Sequence, residues 1–403
     1  MSTPERRGQD YAEPPEELIE GTLPGEDEDL TEDVAERGME MFRNRRRVAT
    51  LVLAVVLMVV AIYVVLPKVA GLGDTVGRVG DATWYWIVIA CGFNVVSFVA
   101  YTALFRSVLG GRGLGPEKIN RRLTTRASYE ITLAGFGATI LFSAAGAGGV
   151  ALTYWALRKA GMERWRTACR MIAFLVLLYS VYLLSLLIFG VLLRTHALSG
   201  DSPVAGTIIP AAIAAGVLIL VALVAFIPGD FERRIHDLTT RSSRIARFAG
   251  TVARGPARLA TGVRTAWSHV RHPVDSIGTI LGAVGWWAGN IGILWACFQA
   301  FGVHVPFGVL VEGYFLGMVA NLAPSPAAGV GTVDAGLIGA FVVLGIDADT
   351  VFPAILLFRF VGFWLPIPVG LWAFLRLRKT VHEWTEEDRR ATIQSEVKAA
   401  EAT

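Results

Sequence analysis

A chain of 403 residues that is 54% hydrophobic and only 18% charged, with mean hydropathy +0.52, cannot be built as a water-soluble globule. It reads as a polytopic membrane protein. The net charge of +3 hides a split, because residues 1–40 hold 14 acids against 3 arginines, a balance of −11 that leaves +14 on the remainder.

Residues 1–42 are acidic and rich in Pro, Gly and Glu, and predict a disordered, solvated tail, with a regulatory or partner-binding arm as the alternative. Arg43-Asn-Arg-Arg-Arg47 abuts the first apolar run, Val48–Leu66. That run begins behind the acidic tail, so no cleavable signal peptide is expected. The basic residues place the N-terminus in the cytoplasm. Residues 67–83 form a short outer loop, and Trp84–Phe105 returns with Trp84, Tyr85 and Trp86 as interfacial anchors. Arg106, Arg112, Lys118, Arg121, Arg122 and Arg126 follow and belong inside.

Ile131–Trp155 contains a small-residue stretch, Ala144-Ala-Gly-Ala-Gly-Gly-Val-Ala-Leu152. A single crossing here would put Arg158, Lys159, Arg164, Arg166 and Arg170 outside, against the positive-inside bias. A re-entrant hairpin with arms of about 16 residues, too short for full crossings, removes the conflict. Ala168–Leu193 then crosses outward, 194–203 is an outer loop, and Val204–Pro228 returns. The loop 229–276 holds nine arginines against four acids. Within it Ile245, Phe248 and Val252, then Leu259, Val263 and Trp267, recur at helical spacing. This predicts an amphipathic helix on the inner leaflet, with an ordinary cytoplasmic loop as the alternative.

Ile277–Phe301 crosses outward, Pro306–Leu322 and Ala327–Leu344 are two short arms, and Val351–Leu375 crosses inward. Arg376, Arg378 and Lys379 hold the C-terminus inside, ahead of a polar helical tail over 381–403. The membrane domain thus runs from 43 to 380. Each half reads as spans plus a broken hairpin, in opposite orientation. The expected fold is an all-α helix bundle with two re-entrant hairpins forming an inverted repeat, of six spans, or ten if each arm crosses fully.

The second break, Asn321-Leu-Ala-Pro-Ser-Pro-Ala-Ala-Gly-Val-Gly-Thr-Val-Asp334, organises the rest. Pro324 and Pro326 remove backbone donors, and helix is expected to restart around Ala327 to Gly331. The first N–H groups of that helix, near Gly329 and Gly331, form a positive dipole end suited to an anion. Asp334 is a carboxylate at membrane depth, a functional candidate as a proton or cation site or as the partner of Arg359. Arg359 suits a phosphate, or Asp334, or both. Glu312 and Asn321 lie on the preceding arm, and Glu312 is either part of the site or solvated near the outer surface. At the first break Gly148, Gly149 and Arg158, with Arg126, Glu130 and Lys159, either meet an anionic headgroup entering from inside or serve as packing and cytoplasmic anchors. The six histidines and three cysteines show no metal spacing. No catalytic set, phosphate-binding loop or nucleic-acid motif is evident, so neither an enzyme nor a cofactor is expected.

Two motifs carry a family resemblance. One is Phe142-Ser-Ala-Ala-Gly-Ala-Gly-Gly-Val-Ala-Leu-Thr-Tyr-Trp-Ala-Leu-Arg-Lys-Ala-Gly161. The other is Pro324-Ser-Pro-Ala-Ala-Gly-Val-Gly-Thr-Val-Asp-Ala-Gly-Leu337, followed by Arg359. Over about residues 45–380 the chain resembles flippase-like membrane proteins related to the transmembrane region of lysylphosphatidylglycerol synthase. Asp334 stands where that family commonly has Glu, Ala327 and Ala328 replace glycines, and the first break lacks its proline. The resemblance implies movement of an anionic or aminoacylated lipid, or a polyprenyl-linked glycolipid, between leaflets of the plasma membrane. A non-transporting partner of an envelope glycosyltransferase or synthase is the alternative. The synthase's soluble transferase domain is not represented, so aminoacyl transfer is not implied.

Overall fold

The computed structural model describes residues 82–110, 117–141, 147–225, 259–267, 273–322, 329 and 331–401. The acidic tail, the first expected span Val48–Leu66, the tip of the first break and most of the basic loop lie outside the described residues. Those described are all-helical. The helices are α1 (Trp84–Leu109), α2 (Glu117–Arg122), α3 (Thr125–Leu141), α4 (Ala147–Lys159), α5 (Arg164–Arg194), α6 (Ile208–Ala225), α7 (Pro273–Ala300), α8 (Phe307–Met318), α9 (Thr332–Val343), α10 (Ala348–Arg359) and α11 (Pro366–Glu401). A further helical stretch covers 259–267.

Among the described residues, five helical runs are long and apolar enough to cross a membrane: Trp84–Leu109, Arg164–Arg194, Val204–Ala225, Ile277–Ala300 and Ala348–Glu401. They coincide with five of the six expected spans. The last departs from expectation in form. It is not one helix but α10 and α11, separated by a π turn at Phe360–Trp364. Asn94 of α1 donates its side-chain N–H to the Val361 carbonyl inside that turn, at 2.5 Å. A widened turn frees backbone groups that hydrocarbon cannot satisfy, and a polar side chain from a neighbouring helix supplies the missing partner.

The central seam is α1 against α7, and it is made by absent side chains. Gly282, Gly285, Gly289 and Gly292 recur every three or four residues and so share one face of α7. A Cβ at Gly282 would lie 2.6 Å from the Leu104 backbone nitrogen, and one at Gly289 would lie 2.6 Å from the Ser97 Cβ. Where lipid is as apolar as leucine, close backbone approach and dispersion contacts do the work of a hydrophobic core. Aromatic rings fill the layer beside the seam. The Tyr182 hydroxyl donates to the Phe315 carbonyl at 2.5 Å, and the Trp287 indole N–H to the Leu178 carbonyl at 2.8 Å.

Each broken segment returns to the end at which it starts. In the first, Arg122 of α2 donates to the Lys159 carbonyl at the close of α4, so the entrance of α3 and the exit of α4 share an end. In the second, the Gly200 loop lies against Val309 of α8, and Gly206 against Val343 and Leu344 at the close of α9. Helix α5 joins these two ends, so the two hairpins open at opposite ends of the molecule. Their arms are short, α8 and α9 having 12 residues each, about 18 Å against a hydrocarbon core of about 30 Å.

The stretch 259–267 is the described part of the expected amphipathic helix. Its small face docks on α5: a Cβ at Gly262 would strike Ile172, and Ala260, Val263 and Ala266 are buried. Leu259 and Trp267 stay exposed on the other side. The small residues between the apolar ones, not the apolar stripe alone, decide what this segment touches.

Candidate functional site

The second break is where the charged groups meet. After α8 the chain tightens into a 3₁₀ turn, Val319–Leu322, and α9 begins at Thr332, while the expected restart at Ala327 lies outside the described residues. Gly329 has φ 88° and Gly331 φ 85°, in the left-handed region that glycine enters without penalty and that no helix contains. Gly331 is therefore the N-cap of α9, and Asp334 stands in its first turn.

There Asp334 and its neighbours form one knot of hydrogen bonds. Its Oδ2 accepts the Gly331 N–H at 2.9 Å, which is half of a capping box, since glycine has no side chain to return the bond. Its Oδ1 accepts the Arg359 Nε–H at 2.5 Å. Arg359 also donates through Nη2 to the Gly329 carbonyl at 2.7 Å, and its guanidinium lies 4.6 Å from the centre of the Phe363 ring. Both side chains are almost wholly withdrawn from solvent, 12% and 7% exposed. A positive helix end, a carboxylate and a guanidinium thus neutralise one another at the place where the backbone unwinds.

Of the two roles open to Arg359, the structure shows the pairing with Asp334. The N–H of Gly331, expected to be free for an anion, is taken by the chain's own carboxylate. Asn321 is exposed, and its Oδ1 lies 3.2 Å from where a Gly329 Cβ would stand, so it borders the knot.

Glu312 is neither solvated nor in the knot. It is fully buried on α8, and neither carboxylate oxygen has a hydrogen-bond partner among the described residues. Next to α8, an apolar groove of about 420 Å³ runs between α5, α7 and α8, lined by Val181, Phe189, Trp287, Trp295, Leu310 and Phe315.

At the first break the packing and anchoring roles are the visible ones. A Cβ at Gly149 would lie 2.6 Å from the Gly135 carbonyl oxygen, so this glycine lets α3 and α4 cross closely. Gly148 is partly exposed beside it. Arg158 reaches past the end of α4 and donates to the Met162 carbonyl at 2.8 Å. Glu130 is buried and ties α3 to its surroundings, accepting from Arg126 at 3.0 Å and from Thr380 of α11 at 3.1 Å.

Sequence reasoning missed a strap beyond the apolar part of α11. Arg122 donates to Asp388 at 2.7 Å and to the Trp384 carbonyl at 2.8 Å, and Lys118 pairs with Asp388 at 2.7 Å. The Arg122 hydrogen bond holds the Asp388 carboxyl at about 2, below its usual 3.8, with Lys118 adding to the effect and partial burial opposing it. Asp388 lay in a stretch read as tail, and nothing in its spacing pointed to Arg122.

Comparison with known proteins bears on both motifs together. A "UPF0104 membrane protein" of Methanothermobacter thermautotrophicus is 34% identical over 89 residues, 22% of this chain and 25% of that relative, so the similarity spans about a quarter of its length. The family model described as the lysylphosphatidylglycerol synthase TM region matches residues 47–370, which takes in the glycine seam, both breaks, Asp334 and Arg359. The chain is a multi-pass membrane protein and belongs to the lysylphosphatidylglycerol synthase transmembrane-region family.

Proposed function

We propose that the protein passes an anionic phospholipid or a polyprenyl-linked lipid between the leaflets of the plasma membrane, with both termini cytoplasmic. The observation that carries this reading is the Asp334–Arg359 pair, buried at an unwound helix start within the apolar part of the chain. Groups of this kind are expensive in a bilayer and are retained where they meet a polar ligand. An anionic headgroup competes for Arg359 and for the Gly331 N–H, displacing Asp334. The apolar groove by α8 offers room for hydrocarbon. Two hairpins opening at opposite ends suit alternating access, and they fit an inverted repeat.

A second reading has its own support. Arg359 is engaged within the chain, by Asp334 and Gly329, as a purely structural clamp would be. Under that reading the protein is a non-transporting partner of an envelope synthase or glycosyltransferase. Liposomes carrying fluorescent phospholipid and purified full-length protein separate the two. Transport predicts scrambling by the wild type that falls at least tenfold in Asp334→Asn and Arg359→Ala. Arg359→Lys, which keeps the charge but loses the planar fork, would fall less far. Undiminished scrambling in both neutral variants would remove the site, and a wild type inert toward every envelope lipid offered would favour the partner reading.

A further inference from the structure

A second acidic group, away from the Asp334 knot, is built to hold a proton. Glu312 sits in the middle of α8 with no surface exposed. Its environment is unusual in what faces it. The space beside Gly190 of α5 is bounded by Glu312 Oε1 and by the Thr207 carbonyl oxygen, 3.2 Å and 2.8 Å from where a Gly190 Cβ would stand. Two acceptor oxygens therefore converge on one spot where a glycine leaves room for them. Thr207 is fully buried too, and its carbonyl already accepts the Ala211 N–H at 3.1 Å, leaving its second lone pair unspent.

Among the described residues no cation makes an ion pair with a carboxylate there. The titratable groups on the surrounding elements are otherwise occupied or distant. The Tyr182 hydroxyl of α5 donates to Phe315, and Asp334 of α9 is bound by Arg359. Tyr314 of α8 and Cys297 of α7 are buried among apolar side chains. At the loop end Arg194 is exposed and donates to the Ser202 carbonyl, and His196 and Asp201 are exposed. Among the described residues none makes a hydrogen bond or ion pair with Glu312. An unpaired carboxylate in such a place is far costlier than the neutral acid, and only the neutral acid can donate to a facing carbonyl.

We infer that Glu312 is a proton-binding site that carries a proton in the resting state, directs it at the Thr207 carbonyl, and exchanges it with water at the end of the molecule bearing residues 195–206. Glu312 is five residues into α8, about 7.5 Å from that end. Gly190 and Thr207 flank the same loop. Loss of the proton sets a bare carboxylate against a carbonyl oxygen. The contact that must then open is α5 and α6 against α8. Helix α8 is locked to α9 where Gly317 meets Leu337, three residues from Asp334. Proton release therefore moves the hairpin that carries the charged knot. This site does not depend on lipid being the cargo.

The test uses full-length protein in lipid nanodiscs and infrared difference spectroscopy. A protonated buried carboxyl gives a C=O band separate from amide absorption and shifted in heavy water. The band is expected in the wild type at neutral pH, to survive in Asp334→Asn, and to vanish in Glu312→Gln. Glutamine reproduces the neutral acid's shape and its donor toward Thr207, so this variant is expected to fold with an unchanged melting temperature. Failure of Glu312→Gln to fold would overturn the proposal, as would a band that persists in it. A wild type lacking the band at every value from about pH 5 to pH 9 would do the same. So would a band abolished by sodium ions at constant pH, since the site would then be a metal-cation site. None of these outcomes involves lipid movement, so the proton site and the lipid reading can fail separately.

Discussion

Asp334 takes part in two interactions at once, and the two neutral substitutions at the knot break different ones. Asp334→Asn keeps an acceptor for the Gly331 N–H but leaves Arg359 buried without its counter-charge. Arg359→Ala removes the guanidinium from Asp334 but keeps the Gly331 N–H, and also frees the Gly329 carbonyl. Removing one member of a buried pair costs about 3–5 kcal/mol, because the other stays behind uncompensated. A helix N-terminus offsets part of that for a carboxylate and none of it for a guanidinium. Asp334→Asn is therefore expected to lower the melting temperature in detergent more than Arg359→Ala does, and the double variant to be less damaged than the sum of the two. Equal, additive losses in a thermal-shift series would show that the pair is not coupled as drawn. Both residues were legible from sequence, since a lone acid and a lone arginine in apolar runs announce themselves. Their pairing was one of two open roles, because sequence spacing does not say which way a side chain turns across an unwound segment. Glu312 shows the same limit from the other side: its position near the expected outer surface suggested solvation, while the packing of α5 and α6 over it removes all exposure.

At the level of elements, the glycines divide into two kinds that the sequence does not distinguish. Gly329 and Gly331 are needed for their backbone angles, and Gly149 and the α7 series for the space they leave. The α7 spacing of three, four and three residues marks a small-residue face in the sequence itself, but spacing does not say which helix that face meets. Gly289→Val is expected to separate α7 from α1 and to destabilise the protein by about 1–3 kcal/mol, as overpacking does, whereas Gly278→Val, which would meet nothing within 4 Å, is expected to be near neutral. Comparable melting temperatures for the two variants would contradict the seam. The π turn was not legible at all. Nothing in Phe360-Val-Gly-Phe-Trp364 forbids α-helix, and the widened turn depends on Asn94 arriving from a helix more than 250 residues earlier.

Across the whole molecule, five of the six expected spans and both hairpin positions agree with the helices described. Hydropathy succeeds here because a bilayer leaves the backbone few alternatives. The strap between α2 and α11 was invisible by the same reasoning, since it forms in water, where charge spacing on a solvated helix says little about its partner. The strap should respond to acid. The Asp388 carboxyl is held below its usual value, so its contribution is complete above about pH 4 and is lost as pH falls toward 2. Limited proteolysis of the full-length protein should leave residues 385–401 protected at neutral pH and cut in that acid range. Asp388→Asn should be cut already at neutral pH, and equal protection of the variant would remove the strap's role.

Helix α11 runs without interruption from Pro366, next to the π turn that follows Arg359, to Glu401, some 54 Å of continuous α-helix. A rod of that length has no joint at which to absorb a tilt. A force on its polar end would reach the strap at Asp388 first and then pass along the same rod toward the turn that follows Arg359. One continuous helix thus connects the exposed end of the chain to the neighbourhood of the buried charge pair.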